Sequence, residues 1–245
     1  VGGLVGQNRG SIQNATATGE VNGSKRVGGL VGYNIGGSIR KATATGNVAG
    51  SSYGVGGLVG FSDDDGSIQN ATATGNVVTS SVRTGGLVGS NYGLIRSSTA
   101  TGNVTGDGGV GGFAGQNKGT IRNVTAKGNV SGSSYNVGGL IGTNGGSTRN
   151  ASIRDVTATG NVTGGNRVGG LVGSHTENTS IQNTTATGDI TGDSNVGGLI
   201  GQNEGEIQNA TATGNVAGSD NVGGLVGESS GPIQSATATG DITGS

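Results

Sequence analysis

The residues best placed to do chemistry in this chain are threonines that occur in pairs, two residues apart. The segment Thr16-Ala17-Thr18-Gly19 recurs nine times, always with Ala between the outer residues and Gly after them. Seventeen of the eighteen outer positions are Thr, and the exception is Lys127. The paired threonines are Thr16, Thr18, Thr43, Thr45, Thr72, Thr74, Thr99, Thr101, Thr125, Thr157, Thr159, Thr185, Thr187, Thr211, Thr213, Thr237 and Thr239.

The spacing of each pair predicts a flat array of hydroxyl and methyl groups. A strand alternates its side chains, so both threonines of a pair face one way, about 6.6 Å apart, and stacked copies lie about 4.8 Å apart. The β-branch of Thr restricts χ1 and holds the hydroxyl in place. Such an array can make many weak contacts at once without an ordering cost. The pattern therefore indicates an adsorption surface rather than a catalytic site.

The segments that must position these pairs form a repeat. Cutting before each Val-Gly-Gly-Leu segment or its equivalent gives units of 26 to 31 residues and a final one of 24. A period in this range indicates a solenoid with one coil per unit, and high Gly, Thr and Val content disfavours helix. We predict an all-β fold, a single β-solenoid domain over residues 1–245. The coils begin at Val1, Val27, Val55, Thr84, Val110, Val137, Val168, Val196 and Val222.

Each coil is predicted to hold three short strands. In the first coil they cover residues 1–6, the stretch from Ile12 through the Thr pair, and the neighbourhood of Val21. A bend or bulge between Ile12 and Ala15 is expected, because both residues should face inward. A recurring Asn is expected in a stacked turn with left-handed backbone. It occurs at Asn8, Asn34, Asn91, Asn117, Asn144 and Asn203.

Composition excludes several classes of function. The formal charge is −1 with 11% charged residues, which gives no electrostatic case for nucleic acid or an anionic membrane. No apolar run is long enough for a transmembrane helix, and no signal peptide is recognised in this chain. The absence of Cys excludes disulfides and thiolate metal sites. We expect the chain to be a segment of a longer protein, because its terminal units carry no polar cap.

The remaining candidate sites are weaker. Asp63, Asp64 and Asp65 could bind calcium, but a lone acidic loop without the repeated calcium-binding pattern favours a solvated turn. His175 is predicted to lie in a variable loop, where other coils have Asn, without a metal or catalytic role. No nucleophile elbow or phosphate-binding loop occurs, so we expect no enzyme and no cofactor. A small aromatic patch is expected near one loop edge, at Tyr33, Phe61 and Tyr92.

The repeat resembles the GLUG motif. The resemblance rests on Gly3-Leu4-Val5-Gly6 followed by Asn8, Gly10, Ile12, Asn14 and Ala17-Thr18-Gly19, and it covers all nine units. It implies a β-helical, extracellular protein of bacterial origin, either secreted or on the cell surface, but it does not imply one activity. GLUG repeats usually carry Tyr where this chain has Thr16 and its equivalents.

The Thr pairs also resemble the Thr-X-Thr arrays of β-solenoid antifreeze proteins, such as those of beetles and moths. This resemblance covers the Thr strand alone. It implies that the paired threonines bind an ice crystal surface, which is then the expected partner. The single Lys127 should interrupt the lattice match in one coil or discourage aggregation.

Three other interpretations remain open. The chain is alternatively a structural stalk or adhesin segment of a bacterial surface protein, or an accessory binding domain of a secreted enzyme. The third is that Thr is simply a good residue for a solvated strand. Against that third interpretation, the outward position after the third-strand Val varies freely, whereas the Thr pairs do not vary.

Overall fold

Each unit of the sequence forms one coil that passes through four sheets, and every strand pairs in parallel with its equivalent in the next coil. The computed structural model describes residues 1–146 and 151–245. In these ranges nine coils stack into one β-solenoid, so the predicted all-β fold is confirmed. No helix of the described residues is long and apolar enough to cross a membrane. We number the sheets 1 to 4 in the order in which the chain meets them.

Sheets 1 and 2 derive from the Val-Gly-Gly-Leu segment and the residues after it. The strands of sheet 1 are Val27–Gly28, Val55–Gly56, Thr84–Gly85, Val110–Gly111, Tyr135–Gly138, Asn166–Gly169, Ser194–Gly197 and Asp220–Gly223. The strands of sheet 2 are Val5–Asn8, Val31–Asn34, Val59–Ser62, Val88–Asn91, Ala114–Asn117, Ile141–Asn144, Val172–His175, Ile200–Asn203 and Val226–Ser229.

Sheet 3 carries the Thr pairs, and sheet 4 follows it. The strands of sheet 3 are Ser11–Gln13, Thr16–Ala17, Ser38–Arg40, Thr43–Ala44, Ser67–Gln69, Thr72–Ala73, Leu94–Ala100, Thr120–Ala126, Ser152–Ala158, Ser180–Ala186, Glu206–Ala212 and Ile233–Ala238. The strands of sheet 4 are Val21–Gly23, Val48–Gly50, Val77–Thr79, Val104–Gly106, Val130–Gly132, Val162–Thr163, Ile190–Thr191, Val216–Gly218 and Ile242–Gly244.

The three predicted strand regions are present, but the first one bends and contributes to two sheets. The bend falls at the second Gly and the Leu, as at Gly29 and Leu30. A Cβ on Gly28 would lie 2.1 Å from the Val31 carbonyl oxygen, so this tight corner admits only Gly. The coil therefore has four sides.

The predicted bend after Ile12 is confirmed in every coil. One residue there adopts positive φ, 53° at Asn14, and this resets the alternation so that the flanking Ile and Ala both face inward. Asn and Asp suit this conformation because their short polar side chains tolerate it. The positions are Asn14, Lys41, Asn70, Ser97, Asn123, Asp155, Asn183, Asn209 and Ser235.

The core consists of two clusters of apolar side chains. A larger cluster of Leu, Ile, Val and Ala lies between sheets 2 and 3, and a smaller one, almost entirely Val, lies between sheets 1 and 4. Beneath the Thr pairs the core is very thin, because a Cβ on Gly29 would lie 3.1 Å from the Ala44 Cβ. The invariant Ala of each pair thus packs directly on a Gly backbone.

The longer coils carry their extra residues outside the segment from the core Ile through the Thr pair, where loops tolerate them. Asp64 and Asp65 form a turn between sheets 2 and 3. In coil 6 the extra residues fall in the stretch 143–152, of which residues 147–150 lie outside the described ranges. Thr143 itself belongs to the sheet 2 strand Ile141–Asn144, and Ile153 is buried and in register with Ile121 and Ile181.

Candidate functional site

The first threonines of the nine pairs form a continuous row along sheet 3, which we call the first Thr row. They pair in register from coil to coil, and in the seven internal coils they are half-buried. Backbone hydrogen bonds hold neighbouring coils in this register. For example, Thr43 N donates to the Ala15 carbonyl at 2.9 Å. The first Thr row consists of Thr16, Thr43, Thr72, Thr99, Thr125, Thr157, Thr185, Thr211 and Thr237.

The second threonines form a parallel, fully exposed row, which we call the second Thr row. From coil 2 onward each is held by a backbone hydrogen bond to the previous coil, such as the one from Thr45 N to the Ala17 carbonyl at 3.0 Å. Lys127 occupies this row in coil 5, and its backbone N donates to the Ala100 carbonyl in the same register. The threonines of the second Thr row are Thr18, Thr45, Thr74, Thr101, Thr159, Thr187, Thr213 and Thr239.

The two rows together form a flat rectangular grid, which we call the Thr face. Its spacing is about 6.6 Å along each strand and about 4.8 Å between coils, over a length of roughly 40 Å. In the seven internal coils the Ala beneath each pair is buried, and in coil 2 it faces the Gly-Gly segment of the same coil. Stacked backbone ladders on a thin core leave the grid little freedom to bend.

A glycine corner closes the grid along its second row. A Cβ on Gly46 would lie 2.0 Å from the Gly19 carbonyl oxygen, and the equivalent contact recurs in each following coil. The next residue is exposed, and its side chain stabilises the corner, since Asn47 Oδ1 accepts a hydrogen bond from Asn76 N at 3.0 Å. The corner therefore requires Gly for steric reasons although its φ is ordinary.

The hydroxyls of the Thr face are available to external partners. Within the described residues, no side-chain hydrogen bond joins any of these threonines to another protein group. Elsewhere the chain does engage its hydroxyls, as when Ser98 Oγ accepts a hydrogen bond from Ala71 N at 3.1 Å. The geometry thus offers rigid, regularly spaced hydroxyls with a methyl beside each one.

A comparison with known protein families shows which family the chain belongs to. The family model described as the GLUG motif matches eight times, over residues 1–22, 23–49, 51–78, 80–105, 106–131, 133–163, 164–191 and 192–217. The chain belongs to the GLUG-repeat family. No curated protein and no solved structure matches it. Its GLUG repeats and β-solenoid fold are those of a repeat-containing protein of the surface type.

The recurring Asn of the GLUG motif has a different role from the one predicted. Asn8 and its equivalents do not adopt left-handed backbone; they lie at the ends of the sheet 2 strands with buried side chains. Asn91 Nδ2 donates to Asn117 Oδ1 at 2.8 Å, and Asn117 Nδ2 donates to Asn144 Oδ1 at 2.8 Å. These amides form a buried ladder, which we call the Asn ladder, and it fixes the register between GLUG coils.

His175 is a member of the Asn ladder, and its predicted place in a variable loop is wrong. It ends the strand Val172–His175, is fully buried, and pairs with Asn144 and Asn203 in the neighbouring coils. Asn144 Nδ2 lies 3.1 Å from its Nδ1, and its Nε2 lies 3.4 Å from the Glu206 carbonyl. Burial lowers the pKa of His175 to about 4, and the hydrogen bond to the Glu206 carbonyl offsets this only in part.

The other candidate residues have structural surroundings. Asp63 Oδ1 accepts a hydrogen bond from Gly36 N at 2.8 Å, which ties its turn to the previous coil. Across the described ranges, no three His, Cys, Asp or Glu residues come together as a metal-binding group. The aromatic patch is present along sheet 2: Tyr33 and Phe61 meet edge to face with ring centroids 5.2 Å apart, and Phe61 and Tyr92 are stacked with centroids 5.0 Å apart.

Sequence reasoning missed one further feature of sheet 3. The outward position after the core Ile is Arg in four coils and Gln in the others, and strand register aligns these residues into a row beside the Thr face. The sequence could have revealed this row, because its Arg or Gln always directly follows Ile12 or the equivalent Ile.

Proposed function

We propose that this GLUG protein is an ice-binding protein that adsorbs to ice through the Thr face. The observation that carries the proposal is the pair of registered Thr rows, whose hydroxyls have no side-chain hydrogen bond to any other part of the chain that the structure describes. In this mechanism each hydroxyl holds a water molecule that also belongs to the ice lattice, and each γ-methyl excludes disordered water. The individual contacts are weak, but a rigid array makes many of them without an ordering cost.

The distribution of residues around the coil supports this role over that of a generic solvated strand. The Thr rows contain one charged residue, Lys127, among eighteen positions. The outward row of sheet 4 instead changes from Asn22 to Val78 to Thr105 without a pattern. Generic exposed sheets use charges to prevent association, and the Thr face lacks that protection. A requirement for Thr at both positions fits a surface that must match a lattice.

The proposal is tested by a matched pair of substitutions in coil 6. Thr157→Tyr places a bulky side chain in the first Thr row, at a position where GLUG repeats usually carry Tyr, so the fold should be retained. Thr163→Tyr changes an exposed Thr of the same coil on sheet 4. Thermal hysteresis and crystal shaping should be largely lost in the first variant and retained in the second. Equal activity of the two variants would contradict binding through the Thr face.

The second candidate function is a structural stalk or adhesin segment of a bacterial surface protein. Continuous parallel pairing over nine coils favours it, because such a rod transmits force through backbone ladders. A stalk should be indifferent to Thr157→Tyr, and its wild type should show no thermal hysteresis. For either function we propose a secreted or cell-surface location and a non-enzymatic role without a cofactor. The two functions are compatible in an adhesin that holds a cell to ice.

A further inference from the structure

Sheet 3 carries a second outward row, which we call the Arg row, on the side of the Thr face away from the glycine corner. In this row Arg96, Arg122 and Arg154 lie directly opposite one another in consecutive coils, about 4.8 Å apart. Arg40 lies two coils before Arg96, with Gln69 between them. All four arginines are exposed. The Arg row is therefore a straight series of guanidinium groups along the solenoid axis.

Charge is concentrated on this part of sheet 3. Coils 2 to 6 add Lys41 and Lys127 to the four arginines, and Asp155 is the one carboxylate on the same sheet strands. Arg154 Nε lies 3.3 Å from Asp155 Oδ2. The whole chain has a formal charge of −1, so the positive charge of this surface differs strongly from the net charge of the chain.

Two of the four arginines, Arg40 and Arg96, are held in place by a neighbouring side chain of the Arg row. Gln69 Oε1 accepts hydrogen bonds from Arg40 Nη2 and Arg96 Nη2, each at 2.9 Å, which extends both side chains along the axis. Like charges directly opposite in a sheet are destabilising, yet Arg occupies three consecutive coils. The other five coils have the neutral residue Gln at this position. These residues are Gln13, Gln69, Gln182, Gln208 and Gln234.

We propose that the Arg row binds a linear acidic polysaccharide that carries one carboxylate on each sugar ring. Such a chain is a linear polyanion, so its carboxylates can pair with guanidinium groups at several points along the row. Guanidinium groups recognise carboxylates through two parallel hydrogen bonds, which suits Arg better than Lys. Polar side chains for the sugar hydroxyls lie beside the row, where Asn123 Nδ2 donates to Ser97 Oγ at 3.4 Å.

Nucleic acid fits this surface less well. Single strands are bound by stacking their bases on aromatic side chains, and no aromatic residue lies on the described strands of sheet 3. Duplex DNA carries about one charge per 1.7 Å of axis on two strands, an array that a single row of arginines does not match. The proposal is independent of ice binding, because the Arg row and the Thr face use different residues.

The test uses the full chain and a fluorescent oligogalacturonate, with binding followed by anisotropy at low salt. The variant Arg96→Gln/Arg122→Gln/Arg154→Gln makes the row resemble that of coils 7 to 9. The control Arg9→Gln/Lys25→Gln/Lys118→Gln removes the same charge from residues outside sheet 3. Circular dichroism checks that both variants remain folded.

The proposal predicts that the Arg-row variant binds about tenfold more weakly and depends less on salt, whereas the control binds within about twofold of wild type. Gln182→Arg should strengthen binding by extending the row. Neutral dextran should not bind. Equal losses in the two triple variants, no loss in either, or tighter binding of single-stranded or duplex DNA than of oligogalacturonate would overturn the proposal.

Discussion

Replacing His175 by Asn should remove a pH-dependent weakness from the core of the solenoid. The imidazole is fully buried in the Asn ladder, where Asn144 Nδ2 lies 3.1 Å from its Nδ1. Protonating Nδ1 would bury a positive charge beside the amide donor of Asn144, although the Thr179 hydroxyl oxygen, 2.9 Å away, can accept the new hydrogen. Burial accordingly lowers the pKa of His175 from 6.5 to about 4. Six other coils have Asn at this position, so the substitution fits the ladder.

The sign of the effect follows from the two pKa values. Unfolded chains take up the proton near pH 6.5, but the folded chain takes it up only near pH 4. The free energy of unfolding therefore falls as the pH drops from 6.5 to 4, and it is unaffected by this group above that window. Linkage gives a loss of about 1.4 kcal/mol at pH 5.5 and about 2.5 kcal/mol at pH 4.5.

The assay is chemical unfolding of wild type and His175→Asn at pH 7.5, 5.5 and 4.5. Other titrating groups are common to the two proteins, so their contributions cancel in the difference. The advantage of the variant should grow as the pH falls. At pH 7.5 the variant should already be more stable by about 1 kcal/mol, since its new amide can donate to the buried Asn203 Oδ1, which has no hydrogen-bond partner among the described residues of the wild type. A difference that stays constant with pH would refute this account of His175.

Three further predictions concern the Thr face and its support. Lys127→Thr should complete the second Thr row and raise thermal hysteresis, with a change in unfolding free energy below about 0.5 kcal/mol; lower hysteresis would show that Lys127 assists binding. Gly102→Ala should lower the free energy of unfolding by about 2–4 kcal/mol, because the new Cβ would lie 2.0 Å from the Gly75 carbonyl oxygen. The control is Gly10→Ala, whose Cβ meets nothing within 4 Å, and it should change the denaturant midpoint little. Asn117→Leu should lower the free energy of unfolding by about 2–4 kcal/mol, as measured by urea unfolding, because the buried Asn144 Oδ1 loses its donor and Asn91 Nδ2 keeps only its hydrogen bond to the Gly93 carbonyl. A neutral result would assign the Asn ladder no role in stability.

Features that repeat in every coil were predictable from the sequence. The period fixed the coil boundaries, and the recurrence of the Thr pair in every unit predicted that equivalent threonines stack from coil to coil. The parity conflict between Ile12 and Ala15 predicted the bend that Asn14 makes with positive φ. These inferences needed only local alternation and the assumption that equivalent residues stack.

Features that depend on contacts between coils were not predictable in the same way. His175 resembled loop variation because its partners Asn144 and Asn203 are about one coil away in sequence. The division of the first strand depends on the approach of Gly28 to the Val31 carbonyl, which alternation does not reveal. The Arg row becomes visible only when strand register aligns single arginines from different coils.

The measurement that tests the central claim most directly is incorporation of the fluorescently labelled chain into a growing single-crystal ice hemisphere. The account predicts that the wild type labels defined planes of the ice, and that Thr157→Tyr greatly reduces this labelling while Thr163→Tyr does not. Exclusion of the folded wild-type chain from the ice would contradict ice binding by the Thr face. The stalk function would then become the leading proposal.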